Sequence, residues 1–321
     1  MTTRLLTWIG LALVIATAQA ADELPKLAET KVVSTLDKVE QPIRYLVPAD
    51  RTDPAPLLVS LHSWSGDYTQ DHSRYVAEAV KRKWAFVEPN FRGINDHPEA
   101  CGSHLARQDV LDAIDWMLAK HKIDAKRVYV VGESGGGMMT LLMAGYHPER
   151  FAAASAWVPI TDLAEWEKFH FHEGKPDRYG EMTVACCGGR PGASNDIDRE
   201  YYRRSPLYVL HHVGTLPIDI NHGVTDGKTG SVPFMHSLHG FNVIARAHGT
   251  PTVTQQEMDE LWKEGHLQSP QSGDEAADPT YDGRKIFLRR SSGAARVTIF
   301  EGGHEGIAGA ACTWLEKQTS K

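Results

Sequence analysis

The segment that most limits what this chain can fold into is Arg127-Val128-Tyr129-Val130-Val131-Gly132-Glu133-Ser134-Gly135-Gly136-Gly137-Met138. Its continuous apolar, β-branched start reads as a buried strand. The run stops at Gly132-x-Ser134-x-Gly136 and passes into a Met/Leu-rich helix over residues 138–146. Strand, glycine turn and helix in that order place one serine on a strained turn, with its hydroxyl lifted above the sheet edge. Its close neighbours must be glycine because a Cβ there would clash. The helix N-terminus behind it offers unpaired N–H groups and a positive dipole end to a developing oxyanion. Ser134 is therefore the candidate nucleophile, and the Gly135 N–H a candidate oxyanion donor.

The same alternation runs along the chain. Residues 31–36 and 43–47 read as an opening antiparallel pair, 56–61 and 84–87 as buried strands, and 73–83 as a helix between them. Helical period recurs over 103–121, where Val110, Leu111, Ile114, Met117 and Leu118 form the apolar stripe and Asp109, Asp112 and Asp115 occupy other faces. Strands follow at 151–158 and 216–220, helices at 233–248 and 254–265, a polar loop at 268–282, a hairpin of 285–288 with 297–300, and a last helix at 307–317. Continuous apolar strands alternating with helices imply a mostly parallel sheet, here of about eight strands, with helices on both faces. Residues 159–215 break the pattern and read as a lid-like insertion above the sheet.

A serine hydroxyl is a poor nucleophile until a histidine takes its proton, and that histidine needs an orienting carboxylate. Asp226 lies in the loop after the 216–220 strand, in Asn221-His222-Gly223-Val224-Thr225-Asp226-Gly227. Asp219 competes for the role but sits within the strand, and His222 and Asp226 could also serve as turn caps. The last strand ends in Glu301-Gly302-Gly303-His304-Glu305-Gly306, which sets His304 in a loop at the same sheet edge. Ser134, Asp226 and His304 each follow a strand, in the order such a sheet requires. The second oxyanion donor is expected from the loop after strand 56–61, at the backbone N–H of Trp64; the indole could equally cover the site as a packed aromatic.

These residues resemble the α/β-hydrolase fold, and more narrowly the catalytic domain of the prolyl oligopeptidase family. The marks are Asn90-Phe91-Arg92-Gly93, Asp109-Val110-Leu111-Asp112-Ala113-Ile114, Ile123-Asp124-x-x-Arg127-Val128, Gly132-Glu133-Ser134-Gly135-Gly136 and His222-Gly223-x-x-Asp226. The resemblance spans residues 56–304. It implies a Ser134–Asp226–His304 triad with no metal and no organic cofactor. Three departures stand out. There is no room for the β-propeller that gates peptidase members, His62-Ser63 replaces the usual His-Gly, and Gly227-Lys228-Thr229-Gly230-Ser231 lengthens the loop before Val232. Without a propeller to hold a peptide's amino end, the resemblance favours an esterase. The substrate is then a small-molecule or carbohydrate-linked ester, with a short peptide as the alternative. Trp64, Trp157 and Trp166 point to an aromatic or sugar-bearing ester, or to plain core and lid packing. A non-catalytic binding module would normally have lost a triad member, and none is lost here.

Composition sets the surroundings. Hydrophobic residues are 41% and charged residues 23% of 321, and 34 Lys+Arg against 41 Asp+Glu leave a net charge of −7. With no basic tract, a nucleic-acid partner is not expected. Arg4, the apolar run 5–16 and Ala18-Gln19-Ala20 read as a secretory signal cut after Ala20, which implies a secreted or periplasmic chain without a membrane span in its mature part. Residues 1–20 are then the signal and 21–321 the hydrolase domain. In an oxidising compartment Cys101, Cys186, Cys187 and Cys312 allow three pairings that the sequence cannot rank. A bridge within the insertion, or from it to Cys101, is expected. Among 16 histidines, His170-x-His172 and His236-x-x-His239 are close enough to chelate but read as surface or core histidines, since no recognised metal pattern surrounds them.

Overall fold

The computed structural model describes residues 24–319. The apolar run 5–16 and the expected cut after Ala20 lie outside the described residues. The strands are β1 (Ala28–Val33), β2 (Glu40–Leu46), β3 (Ala55–Leu61), β4 (Ala85–Pro89), β5 (Ile123–Glu133), β6 (Ala153–Trp157), β7 (Phe171–His172), β8 (Lys175–Pro176), β9 (Ile218–Gly223), β10 (Ile286–Ser292) and β11 (Ala295–Phe300). The helices are α1 (Ser73–Arg82), α2 (His104–Lys120), α3 (Gly135–Tyr146), α4 (Leu163–Phe169), α5 (Arg178–Cys187), α6 (Asn195–Arg203), α7 (Met235–Ala247), α8 (Gln255–Glu264) and α9 (Ala308–Leu315). Nine strands form one sheet in the order β1-β2-β4-β3-β5-β6-β9-β11-β10. Neighbours from β4 through β11 in that order run parallel. The strands outside them, β1, β2 and β10, pair antiparallel.

Every residue of β3 is buried, as a central parallel strand covered on both faces requires. Because side chains alternate, Leu57, Val59 and Leu61 join the core under α2, α3 and α7, while Leu58 joins the core under α1 and α9. Residues 159–215 leave the sheet after β6 and return at β9. Their Leu163, Trp166, Met182, Cys186, Tyr201 and Leu210 belong to the same apolar core as β3 and α3. Asp109 and Asp112 of α2 lie off its apolar stripe yet are buried. Arg92 Nε reaches Asp109 at 2.6 Å, and the Thr35 N–H donates to Asp112 at 2.7 Å. Those two aspartates tie the β1–β2 end and the loop after β4 to the helix.

Candidate active site

The turn between β5 and α3 holds Ser134 at φ 59° and ψ −119°, a left-handed backbone conformation rare outside glycine. Packing fixes it. A Cβ on Gly132 would run into the backbone of Gly136, and one on Gly136 into the carbonyls of Leu61 and His62. The Ser134 N–H donates to Trp157 O at 2.9 Å, and Ser134 O accepts the Met138 N–H at 2.9 Å to begin the helix. Helix α3 therefore starts at Gly135, three residues before the first apolar residue of the run.

At the same sheet edge, His304 Nδ1 lies 2.6 Å from Asp226 Oδ2. Asp226 is fully buried, whereas the His304 side chain is 26% exposed. His222 Nε2 meets the same Oδ2 at 2.9 Å, and its Nδ1 lies 2.7 Å from the Ser237 hydroxyl. Asp226 Oδ1 accepts the N–H groups of Gly227 at 3.0 Å and Val232 at 3.2 Å. Burial alone would raise the Asp226 pKa, but hydrogen bonds from His222 and His304 outweigh it and hold the carboxyl well below the usual range. An ionised Asp226 accepts from His304 Nδ1, which places the ring's proton there and leaves Nε2 able to accept one. Among the described residues Ser134 Oγ makes no hydrogen bond to His304, a contact that commonly tightens only with substrate bound.

Gly135 lies against the backbone of Trp64, so that an added Cβ would stand 2.5 Å from Trp64 N. The loop after β3 is held by Gln70, whose Oε1 accepts both the Ser63 N–H at 2.8 Å and the Ser63 hydroxyl at 2.9 Å. A second tie joins Glu133, beside Ser134, to the segment after His304. Arg74 Nη1 donates to Gly306 O at 2.9 Å, its Nη2 to Glu133 at 3.3 Å, and the Tyr75 hydroxyl to Glu133 at 3.0 Å. No local pattern in the sequence marks Gln70, Arg74 or Tyr75, and Glu133 stands there only as a residue of the serine motif. His222 was visible only as a motif neighbour of Asp226.

Other candidates fall elsewhere. Asp219 is buried inside β9, paired with Arg296 at 2.6 Å and bonded by the Ser155 hydroxyl at 3.1 Å. Trp157 packs with Tyr281 and Phe300 in the core on the α9 face, so it lines no substrate pocket. Trp64 and Trp166 do meet, edge to face at 4.5 Å between ring centres. The four cysteines are buried free thiols, without the bridge expected from the sequence.

Residues 81–278 match the family model of the prolyl oligopeptidase family. Acylamino-acid-releasing enzyme 1 of Oryza sativa subsp. japonica is 29% identical over 178 residues, 50% of this chain and 22% of that protein. Feruloyl esterase B of Neurospora crassa is 33% identical over 121 residues, 34% of this chain and 40% of the esterase. The matched stretches thus span less than half the length of these curated relatives. Among solved structures, a puromycin-hydrolyzing peptidase of Mycobacterium tuberculosis superposes with a TM-score of 0.59 over 91% of this chain and 38% of that one, at 16% identity. Oligopeptidase B of Leishmania major gives 0.58 over 91% and 35%, at 12% identity, and both likenesses concern the fold. Since the family match takes in more than half of the residues, including the serine turn and the Asp226 loop, the chain belongs to the prolyl oligopeptidase family of serine hydrolases with the α/β-hydrolase fold.

Proposed function

We propose that the protein cleaves carboxylic esters through an acyl-serine intermediate, with Ser134 as nucleophile, His304 as base and then acid, and Asp226 as the orienting carboxylate. The observation that carries this reading is the 2.6 Å His304–Asp226 hydrogen bond at the sheet edge where Ser134 stands on its left-handed turn. In this scheme His304 Nε2 takes the Ser134 proton as Oγ attacks the ester carbonyl. The backbone N–H groups of Gly135 and Trp64 stabilise the oxyanion, and His304 protonates the departing alcohol. Water then repeats the sequence and frees the acid. Support for the oxyanion pair comes from the close approach of Gly135 to Trp64 N and from the free N–H groups of a helix's first turn.

The ester reading draws on leaving-group chemistry and on relatives. Expelling an amine demands stronger acid assistance and tighter positioning, drawn from remote binding energy. Feruloyl esterase B is among the relatives, whereas Trp64 and Trp166, edge to face and both buried, pack the insertion against the loop after β3. The acylamino-acid-releasing relatives give the competing peptidase reading its weight. The substrate we propose is a small-molecule or carbohydrate-linked ester, met outside the cytoplasm after removal of residues 1–20.

A fluorophosphonate is expected to label the wild-type protein and to leave Ser134→Ala unlabelled and inactive. Assayed against acyl esters of graded length beside matched aminoacyl amides, kcat/KM for the best ester is expected to exceed that for the amide by at least about a hundredfold, roughly 2.7 kcal/mol of barrier. Amide turnover near ~10 s⁻¹, a typical enzymatic rate, decides for the peptidase.

A further inference from the structure

The chain turns back on itself at Glu173 and Gly174, with φ of 51° and 82°, the mirror-image turn favoured by two-residue hairpin loops. Across this hairpin Phe171 pairs with Pro176 and His172 with Lys175, and the Asp177 N–H extends the ladder to His170 O at 2.9 Å. Alternate residues of an extended strand share a face. His170, His172 and Asp177 accordingly gather on one side, while Phe171 lies on the other beneath the Arg190 guanidinium at 3.5 Å. One ligand atom from each of the three lies within 4.8 Å of the other two. His170 Nδ1 is 2.7 Å and His172 Nε2 is 4.0 Å from Asp177 Oδ2.

From this geometry we propose that His170 Nδ1, His172 Nε2 and Asp177 Oδ2 bind one borderline divalent cation, zinc(II) or its analogue cobalt(II). The remaining valences on these residues are already used in a way that suits an ion. Asp177 Oδ1 caps α5 by accepting the N–H groups of Tyr179 at 2.9 Å and Gly180 at 3.1 Å, which leaves Oδ2 free of the helix. His170 Nε2 stands 2.8 Å from Ser231 O, which can only accept, so Nε2 carries the ring's proton. Nδ1 then faces a carboxylate, and a neutral imidazole has no second proton to place between them. A second ring proton or a metal cation can bridge the two, and His172 Nε2, 4.0 Å from the same Oδ2, supplies the further ligand a metal needs. Backbone-anchored imidazoles of this kind are the usual outer-sphere arrangement of zinc histidines.

The donor set decides which ion. Two imidazole nitrogens and one carboxylate oxygen suit zinc(II), with a fourth position open to water, whereas calcium and magnesium prefer all-oxygen shells. The edge of a zinc tetrahedron is ~3.3 Å for bonds near 2.0–2.1 Å. The distances of 2.7 and 4.0 Å bracket that value, so a small turn of the exposed His172 ring closes the site. An imidazolium–carboxylate pair would account for His170 and Asp177 but leave His172 idle.

The ion would act at a distance from the reacting atoms. Ser231 O also accepts the Trp166 indole N–H at 2.8 Å, and the next residue, Val232, donates its N–H to Asp226. Locking the His170 ring therefore ties the excursion to the loop that carries Asp226.

The test uses the full chain, stripped with a chelator and titrated with cobalt(II) alone. One equivalent is expected to produce d–d absorption bands that zinc(II) abolishes, and zinc(II) is expected to raise Tm. His172→Ala removes an exposed ligand without touching the core. It is expected to weaken binding by more than about tenfold, a loss that outer-sphere changes alone can cause, and to abolish the Tm shift. Wild-type protein without bands or Tm shift, or His172→Ala binding as tightly as wild type, overturns the proposal. Neither readout depends on turnover, so the result is independent of the ester reading.

Discussion

At the scale of single residues, Asp226 shows how much machinery a buried carboxylate needs. It accepts four hydrogen bonds, from His304, His222, Gly227 and Val232, and none of its lone pairs faces an empty core. A hydrogen bond to a charged group contributes about 1.5–3 kcal/mol. His222→Phe, which keeps the ring and removes both nitrogens, is expected to lower kcat about ten- to a hundredfold with KM little changed. His222→Gln, which restores one donor, is expected to recover most of the loss; steady-state kinetics on an ester checks both. The pH dependence has a definite sign. The Asp226 pKa is lower folded than unfolded, so its stabilisation is complete above the ordinary aspartate value near 3.9 and is lost as pH falls through the depressed value. Removing His222 raises the folded value, so acid unfolding of His222→Phe should begin at higher pH than in wild type. Ser134, Asp226 and His304 were legible in the sequence because each stands just past a strand, a local signal. Arg74 acts across the fold on Glu133 and Gly306, partners that no spacing reveals, and the local contacts of His222 with Asp226 and of Gln70 with Ser63 arise from loop conformations that carry no pattern of their own.

At the scale of elements, apolar periodicity located strands and helices but misplaced the ends that matter for chemistry. Strand β9 continues to Gly223 because Asn221 and His222, although polar, are wholly buried; a reading by hydropathy stops at Ile220. Helix α3 begins in glycines that carry no apolar signal, yet each is required by close backbone contacts. The loop after Asp226 has a comparable constraint. A Cβ on Gly230 would collide with Asp226 Oδ1 and stand 3.0 Å from His304 Cβ. Gly230 has ordinary backbone angles, so alanine there strains no dihedral and acts only by displacing those two side chains. Misplacement near 1 Å can cost about a hundredfold in rate. Gly230→Ala is therefore expected to lose roughly that factor in kcat while melting within a few degrees of wild type, measured by kinetics and by circular dichroism on the same sample. A variant as active as wild type would show that the loop yields freely.

For the molecule as a whole, the question is what holds residues 159–215 to the sheet. Hydropathy alone showed that this stretch departs from the alternation, but not that it shares one core with β3 and α3, nor the crossing order β4-β3-β5, which arises only from tertiary pairing. Polar anchors add to that core. Arg204, 4% exposed just after α6, donates to the carbonyls of Pro98 at 2.9 Å, Ala100 at 2.9 Å and Cys101 at 3.4 Å in the loop before α2. Beside it the Cys186 thiol of α5 meets Cys101. Burial alone would raise the Cys101 pKa, but the Cys186 hydrogen bond and the Arg204 charge offset it and hold the thiol below its ordinary value. The two thiols are neighbours but buried, so exchange with an external disulfide requires the insertion to open locally. Treated with oxidised glutathione, Cys101 attacks the small disulfide and releases one glutathione thiol. Cys186 then displaces the second and closes a bridge between body and excursion. Peptide mapping without reductant is expected to recover Cys101 linked to Cys186, with Cys187 and Cys312 free. The bridge should stabilise the fold by about 2–4 kcal/mol, since it closes a long loop in the unfolded chain. A map in which Cys186 and Cys187 both remain free after oxidation rules the bridge out, and leaves the shared core and Arg204 as the attachment.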